Sequence, residues 1–87
     1  MVNRRIIVVN KSGLHARPAS NLIKAATKFK SKITVSKDEK CYDAKSIIGI
    51  LSAGITCGTE IILECNGEDE ENALKQLSEL IEAGLGE

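Results

Sequence analysis

The only histidine of the chain, His15, lies in a segment whose residue types favour phosphoryl chemistry. It follows a turn that contains Gly13 and directly precedes the predicted start of a helix at Ala16. The first amides of a helix have no partners inside it, and this end of the helix dipole is positive. A phosphoryl group on the imidazole would meet the amides of Ala16 and Arg17, and the Arg17 guanidinium could bind the same oxygens.

A lone histidine is more often a surface residue or a helix cap than a reactive group. Here the glycine turn, the helix start and Arg17 occur together, and Pro18 fits the first helical turn, where a missing N–H costs nothing. This combination favours His15 as a phosphoryl acceptor.

Ser46 is a second candidate, because it precedes a short predicted helix over residues 46–53. Most serines in this position only cap the helix. A phosphate there would be tolerated by the helix dipole and would add negative charge beside an apolar surface. The cap and a regulatory switch are compatible roles.

The apolar arc of this short helix spans about 160°, whereas a core-facing stripe needs little more than about 100°. We therefore expect Ile48 and part of Ile47 or Leu51 to stay exposed and to suit a transient interface. An overfilled core helix explains the pattern equally well on these residues alone.

The charges are unevenly distributed along the chain. Residues 1–37 hold nine cations and no acid, and residues 38–87 hold three cations and twelve acids, so the halves carry +9 and −9. Arg17, Lys24 and Lys28 fall within about 40° of each other on the first helix. Beside His15 this stripe suits electrostatic steering of an acidic partner, although it is also typical of a solvated helix face. Attraction between the two halves within the fold is the alternative explanation of the asymmetry, and both can hold at once.

The elements that must position these residues follow from periodicity and turn signals. Strands are predicted over 6–9, 33–35, 41–43 and 60–65, and helices over 16–28, 46–53 and about 69–83. The order β-α-β-β-α-β-α predicts an α+β open sandwich with a mainly antiparallel sheet.

Composition argues against several classes of protein, namely multidomain, base-stacking, metal-binding, secreted and membrane-spanning proteins. The 87 residues suffice for one domain, and the only aromatic residues, Phe29 and Tyr42, offer no platform for stacking bases. Three cysteines without metal-ligand spacing indicate reduced thiols and no metal site. Neither a signal peptide nor a membrane span is predicted, so we expect a cytoplasmic protein without direct membrane insertion.

Two motifs resemble one known family. The segment Gly-Leu-His-Ala-Arg-Pro-Ala at 13–19 resembles the active-site signature of HPr, the histidine-containing phosphocarrier of the bacterial phosphotransferase system. The segment Lys-Ser-Ile-Ile-Gly-Ile-Leu-Ser at 45–52 resembles the regulatory serine motif of that family. The resemblance covers the chain as a single HPr-like domain over 1–87, including the Gly-Leu-Gly-Glu ending.

The resemblance implies a four-stranded antiparallel sheet covered on one face by three helices. It implies that Nδ1 of His15 accepts a phosphoryl group from phosphorylated enzyme I and donates it to sugar-specific IIA proteins or domains. Arg17 would stabilise the phosphate, with the backbone of Ala16 and Arg17. The protein would be a monomeric carrier, not an enzyme, without cofactor. The implied partner-docking residues are Ser20, Lys24, Ile47, Ile48 and Leu51.

For Ser46 the resemblance implies phosphorylation by an ATP-dependent HPr kinase/phosphorylase. The phosphorylated form would slow transfer through His15 and bind a catabolite-control transcription regulator, which links the protein to carbon catabolite repression.

Two other functions compete with the carrier. A regulatory binding module would use Ser46 and the apolar surface without carrying phosphate on histidine, as relatives of HPr that lack the histidine do, but His15 and Arg17 argue against it. A small nucleic-acid-binding domain would use the basic first helix, but the scarcity of aromatics, the zero net charge and the lack of a basic arm argue against that.

Overall fold

The computed structural model describes residues 1–86, so Glu87, the last residue of the predicted ending, lies outside the described residues. The predicted element order is confirmed. The strands are β1 (Val2–Ile7), β2 (Lys32–Lys37), β3 (Lys40–Asp43) and β4 (Glu60–Asn66). The helices are α1 (Ala16–Ala26), α2 (Ile47–Ser52) and α3 (Glu70–Glu82). Within residues 1–86, no helix combines the length and apolarity needed to cross a membrane.

The four strands form one antiparallel sheet in the order β1-β4-β2-β3. Strand β4 lies inside the sheet and alternates strictly, with Ile61, Leu63 and Cys65 buried and their neighbours more exposed. Helix α3 packs on β1 and β4, and α1 packs on both other helices. The helices therefore cover one face, and the predicted open-faced α+β sandwich is confirmed.

The prediction for β1 was wrong by several residues, because the strand begins at Val2 and ends at Ile7. The exposed Arg4 and Arg5 interrupt the apolar pattern from which a strand is predicted, so the first half of β1 was not recognised. Backbone pairing with β4 nevertheless starts at Val2, opposite Cys65. Strand β1 is an edge strand, where one backbone side is unpaired and charged side chains are common.

Helix α1 ends two residues before the predicted end. The amides of Lys28 and Phe29 donate to carbonyls three residues back, those of Ala25 and Ala26, both at 3.2 Å. This tightening is typical of the last turn of a helix. Helices α2 and α3 are each shorter than predicted by one residue at either end, which is the usual uncertainty of helix boundaries.

The core between the sheet and the helices is aliphatic, and Phe29 and Tyr42 pack against its edge. Cys65 belongs to this core, whereas Cys41 and Cys57 are exposed. Burial, with smaller contributions from Asp69, Glu70 and Glu64, raises the pKa of the Cys65 thiol to about 11. Cys65 therefore stays protonated at neutral pH and serves as a small apolar side chain.

The opposite charges of the two halves meet in exposed ion pairs at the surface. Arg4 pairs with Glu82 at 3.3 Å, and Arg5 with Glu60 at 3.6 Å. The Met1 ammonium pairs with Glu70 at 2.9 Å. Attraction between the halves within the fold is thus real, although exposed pairs of this kind stabilise little.

The last described residues fold back onto α1. The side-chain amide of Asn21 donates to the Leu85 carbonyl at 2.8 Å, and the Leu85 side chain is fully buried. Residues 85 and 86 therefore lie beside the first helix, whereas Met1 lies at the start of α3, at the other end of the sheet.

Asp69 joins the start of α3 to the start of β2. Its carboxylate accepts hydrogen bonds from the backbone amides of Lys30 and Ser31, both at 2.9 Å, and from the Ser31 hydroxyl at 2.5 Å. The Ser31 hydroxyl and the Lys30 amide lower the pKa of Asp69 from 3.8 to about 2. Asp69 is thus a tether between layers, rather than only a favourable charge at the helix dipole.

Replacing this carboxylate by Asp69→Asn is expected to lower the free energy of unfolding, because an amide cannot accept all three hydrogen bonds. The folded-state pKa is depressed, so the contribution is complete above about pH 3.8 and is lost as the pH falls through about 2. Urea unfolding at pH 7 and pH 2 measures both effects.

The matched control is Glu71→Gln, which removes one exposed charge from the same first turn of α3. A smaller loss for Glu71→Gln at pH 7, and a difference between the variants that shrinks at pH 2, is expected. Equal losses at pH 7 would contradict the tether.

Candidate functional site

His15 occupies the N-cap position of α1, with extended backbone angles (φ −129°, ψ 161°). Its carbonyl accepts from the Ala19 amide at 3.5 Å, whereas its side chain makes no capping hydrogen bond. The residue is only partly buried. The imidazole is therefore placed at the start of a helix without being used to close it.

The segment before His15, which we call the His15 loop (residues 10–15), is closed by hydrogen bonds. The buried side-chain amide of Asn10 donates to the Gly13 carbonyl at 2.5 Å, and the Gly13 amide donates to the Asn10 carbonyl at 3.0 Å. The Leu14 amide donates to the Ile55 carbonyl at 2.9 Å, and the Leu14 side chain is fully buried. The backbone directly before His15 is thus fixed to a distant segment of the chain.

Gly13 is required by two independent constraints. Its φ of +63° lies in the left-handed region, which favours glycine. A Cβ at this position would also lie 2.3 Å from the Ile55 carbonyl oxygen and 2.7 Å from the Thr56 Cα. The His15 loop can approach residues 55 and 56 only because residue 13 has no side chain.

Ala16 also has a positive φ, +50°, which the sequence did not indicate because an alanine gives no sign of it. Such a conformation costs on the order of 1 kcal/mol for a residue with a Cβ. The buried residues Leu14 and Pro18 flank it on both sides and hold it in place. Within residues 1–86, the amides of Ala16 and Arg17 donate to no acceptor, so they are available to an anion.

The cations predicted to form one stripe lie at the surface, Arg17 and Lys24 on α1 and Lys28 two residues beyond its end. Arg17, Lys24 and Lys28 are exposed, and none of them forms an ion pair with any described residue. Ser20, the other docking residue predicted on this helix, is partly buried. The stripe is therefore positive surface that the fold leaves without internal acids.

Helix α2 packs on α1 and exposes most of its apolar residues. Ile50 is fully buried, whereas Ile48 is 77% exposed, and Ile47 and Leu51 are 41% and 42% exposed. The expected partial exposure is confirmed, and the overfilled core helix is wrong. The predicted docking residues thus lie on two adjoining helices.

Ser46 is the N-cap of α2, as predicted. Its hydroxyl accepts from the Gly49 amide at 3.1 Å. The neighbouring Lys45 is turned away to the Phe29 carbonyl, 2.7 Å from its ammonium. The Ser46 side chain is partly exposed at the edge of the apolar surface, where a modifying group would change what a partner meets.

The sequence analysis missed the contribution of Lys37. Its ammonium donates to the carbonyls of Ala53 and Gly54, at 3.3 and 3.1 Å, and so closes the C-terminal end of α2. Helix α2 has no basic residue in its own last turn. That absence was the one sequence signal for a distant cation at this end of the helix.

Comparison with known proteins gives one consistent result. The family model for the PTS HPr component phosphorylation site matches residues 2–83. The HPr-like protein Crh of Bacillus subtilis is 40% identical over 82 residues, 94% of this chain and 96% of its own length. Phosphocarrier protein HPr of Neisseria meningitidis is 38% identical and covers 100% of this chain and 98% of its own. The crystal structure of HPr-C-His from Thermoanaerobacter tengcongensis superposes with a TM-score of 0.97, at 48% identity, over 100% and 98% of the two chains.

Two similar structures are dimers. The HPr dimer from Thermoanaerobacter tengcongensis is 48% identical with a TM-score of 0.80 over the full length of both chains. The crystal structure of Crh from Bacillus subtilis contains a dimer with a swapping domain; it is 39% identical with a TM-score of 0.78 over 97% of each chain. The expectation of a monomer is therefore not confirmed by these relatives.

The close approach at Gly13 can be tested with a matched pair of variants. Gly13 and Gly54 share a φ of +63°, but a Cβ at Gly54 would meet nothing within 4 Å. Gly54→Ala is therefore expected to cost only the backbone conformation, about 1 kcal/mol of unfolding free energy. Gly13→Ala is expected to cost about 1–3 kcal/mol more, because backbone atoms must move.

Urea unfolding of both variants measures this difference. Equal losses of stability would mean that the His15 loop adapts freely to a side chain at residue 13 and is not held against residues 55 and 56.

Proposed function

This chain belongs to the HPr family of phosphocarrier proteins of the phosphotransferase system, and from this membership we propose which residues and partners form its relay. It is a carrier of phosphohistidine rather than a catalyst. We assign the acceptor to Nδ1 of His15, the donor to phosphorylated enzyme I, and the recipients to sugar-specific IIA proteins or domains.

The observation that carries this assignment is the position of His15 at the start of α1. Among the described residues its imidazole makes no capping hydrogen bond, so the start of the helix does not occupy its nitrogens. In the transfer, a bond forms between Nδ1 and phosphorus while the bond between phosphorus and its donor atom on enzyme I breaks. The ring N–H proton position adjusts so that Nδ1 offers its lone pair.

The arriving phosphoryl oxygens need positive partners during transfer. The amides of Ala16 and Arg17 have no acceptor within residues 1–86, and the Arg17 side chain is exposed beside them. These groups support a role for Arg17 in stabilising the phosphate, through preorganised donors rather than through bond making. Larger partners supply the rest of the site.

The docking surface in this proposal combines the two adjoining helices. Ser20 and Lys24 contribute from α1, and Ile47, Ile48 and Leu51 contribute from α2. An exposed apolar centre with a cationic rim is typical of transient interfaces with acidic partners. The same surface can meet the donor and the recipient in turn, because a carrier binds each of them only briefly.

We assign Ser46 as a regulatory site for an HPr kinase/phosphorylase, with a catabolite-control transcription regulator as the reader of the phosphorylated form. The similarity to Crh, whose structure is named for catabolite repression, supports this link. Phosphate at the α2 N-cap would suit the helix dipole while placing negative charge beside the docking surface.

The unit that acts is the whole chain, 1–87, in the cytoplasm. Elements from both ends of the chain build the same sheet and core, with β1 paired to β4 along six residues. We propose a monomer as the active carrier, because both docking helices and His15 belong to one copy. Size-exclusion chromatography with light scattering decides between this and a dimer.

The carrier role is tested by intact mass after incubation with phosphoenolpyruvate and a bacterial enzyme I. The expected result is the acid-labile gain of one phosphoryl group, absent in His15→Ala. Enzyme I is first verified on another carrier. No gain on the wild-type chain would refute the relay and leave regulation through Ser46 as the function to pursue.

The regulatory role predicts that Ser46→Asp lowers the rate of phosphorylation by enzyme I about tenfold, because charge is added at the interface. Aspartate preserves the N-cap, so folding is retained. Asn3→Asp adds the same charge on β1, the edge strand on the opposite side of the sheet from β3, which leads into Ser46, and is expected to leave the rate unchanged. Equal rates for both variants and the wild type would contradict a switch at Ser46.

A further inference from the structure

The segment that leaves α2, residues 53–55, is bound through three successive carbonyl groups. The carbonyls of Ala53 and Gly54 accept from the Lys37 ammonium. The next carbonyl, that of Ile55, accepts from the Leu14 amide in the His15 loop. Residues 53–55 therefore connect α2, which they follow in the chain, to Leu14, the residue before His15.

Lys37 comes from a hairpin with little freedom of its own. It pairs with Lys40 across a two-residue turn, in which Asp38 and Glu39 have positive φ values of 50° and 68°. Positive φ at both central residues defines the turn whose twist matches that of the flanking strands. The hairpin thus presents the Lys37 side chain from a fixed direction.

The position of the Lys37 cation is also electrostatically favourable. The C-terminal end of a helix carries negative partial charge on its last carbonyls. Helix α2 supplies no cation there, and its six residues give it little stability of its own. The orientation of α2 therefore depends on contacts from outside the helix.

We propose that Lys37 is a positioning residue for phosphoryl transfer. By binding residues 53 and 54, it sets the exposed apolar surface of α2 in a fixed relation to His15, through the Ile55–Leu14 hydrogen bond. This inference rests on the proposed carrier function. A partner that docks on α2 reaches His15 in the correct place only if this relation is kept.

The first test compares Lys37→Met with Lys40→Met in phosphorylation by enzyme I. Both remove one cation from the same hairpin, but Lys40 is exposed and its side chain, unlike that of Lys37, makes no hydrogen bond to residues 53 and 54 in the described part of the chain. Lys37→Met is expected to raise KM for the carrier about fivefold with kcat changed less than about twofold, because docking is affected and chemistry is not. Lys40→Met stays near the wild type, and Lys37→Arg restores most of the loss.

Equal KM values for Lys37→Met and Lys40→Met would overturn the proposal, since a general charge effect would then explain both. Failure of Lys37→Arg to recover activity would also count against it, because a cation at this place is the essential feature.

The second test needs no partner protein. Hydrogen exchange at the Leu14 amide is expected to be about tenfold faster in Lys37→Met than in Lys40→Met, while amides of the inner strand β4 are unchanged. Unchanged exchange at Leu14 would refute the connection through residues 53–55. If the wild-type chain accepts no phosphoryl group, the relay fails, and the exchange measurement still decides whether Lys37 holds the His15 loop.

Discussion

The site depends on one hydrogen bond between distant segments, from the Leu14 amide to the Ile55 carbonyl. It lies where the loop before His15 meets the connection from α2 to β4. Its formation requires that residue 13 have no side chain, since any Cβ there would occupy the space of the Ile55 carbonyl. The buried Leu14 side chain then fixes the loop to the core. The backbone hydrogen bond and the buried side chain of Leu14 fix the position of His15, rather than contacts of the His15 ring itself.

The cations of the basic N-terminal half fall into two groups, one paired with acids of the C-terminal half and one left unpaired. Cations of β1 and the N-terminus are neutralised by acids of β4 and α3. The cations of α1 meet no acid within residues 1–86 and face solvent beside the exposed residues of α2. The ion pairs within the fold therefore leave the cations of the proposed docking surface free to attract an acidic partner.

The sequence was sufficient for features whose causes are local or periodic. The element order, the N-cap at Ser46 and the exposed position of Ile48 follow from turn residues, capping preference and helical period. The start of β1 at Val2 was missed because its pairing with β4 involves residues sixty positions away. The positive φ of Ala16 was missed because tertiary packing, not residue type, imposes it.

Contacts between segments far apart in the chain were the least predictable part of the site. In the sequence, Lys37 cannot be distinguished from an ordinary lysine of a hairpin. Only the fold brings its ammonium to the end of α2. Asp69 has the residue type of an ordinary acid at a helix start, and only the fold brings its oxygens to the start of β2. The candidate residues for chemistry were predicted from the sequence, whereas the contacts that hold them in place required the structure.

The return of the C-terminal turn to α1 has a practical consequence for handling the protein. A tag or surface linkage placed after Glu87 begins two positions beyond Gly86, and the residues up to Gly86 lie beside the helix that carries Arg17 and Lys24. Immobilisation through that end would crowd the proposed docking surface. An N-terminal linkage starts at the other end of the sheet, where it gives up only the exposed pairing of Met1 with Glu70. Binding measurements on a sensor surface are therefore best made with the chain captured by its N-terminus.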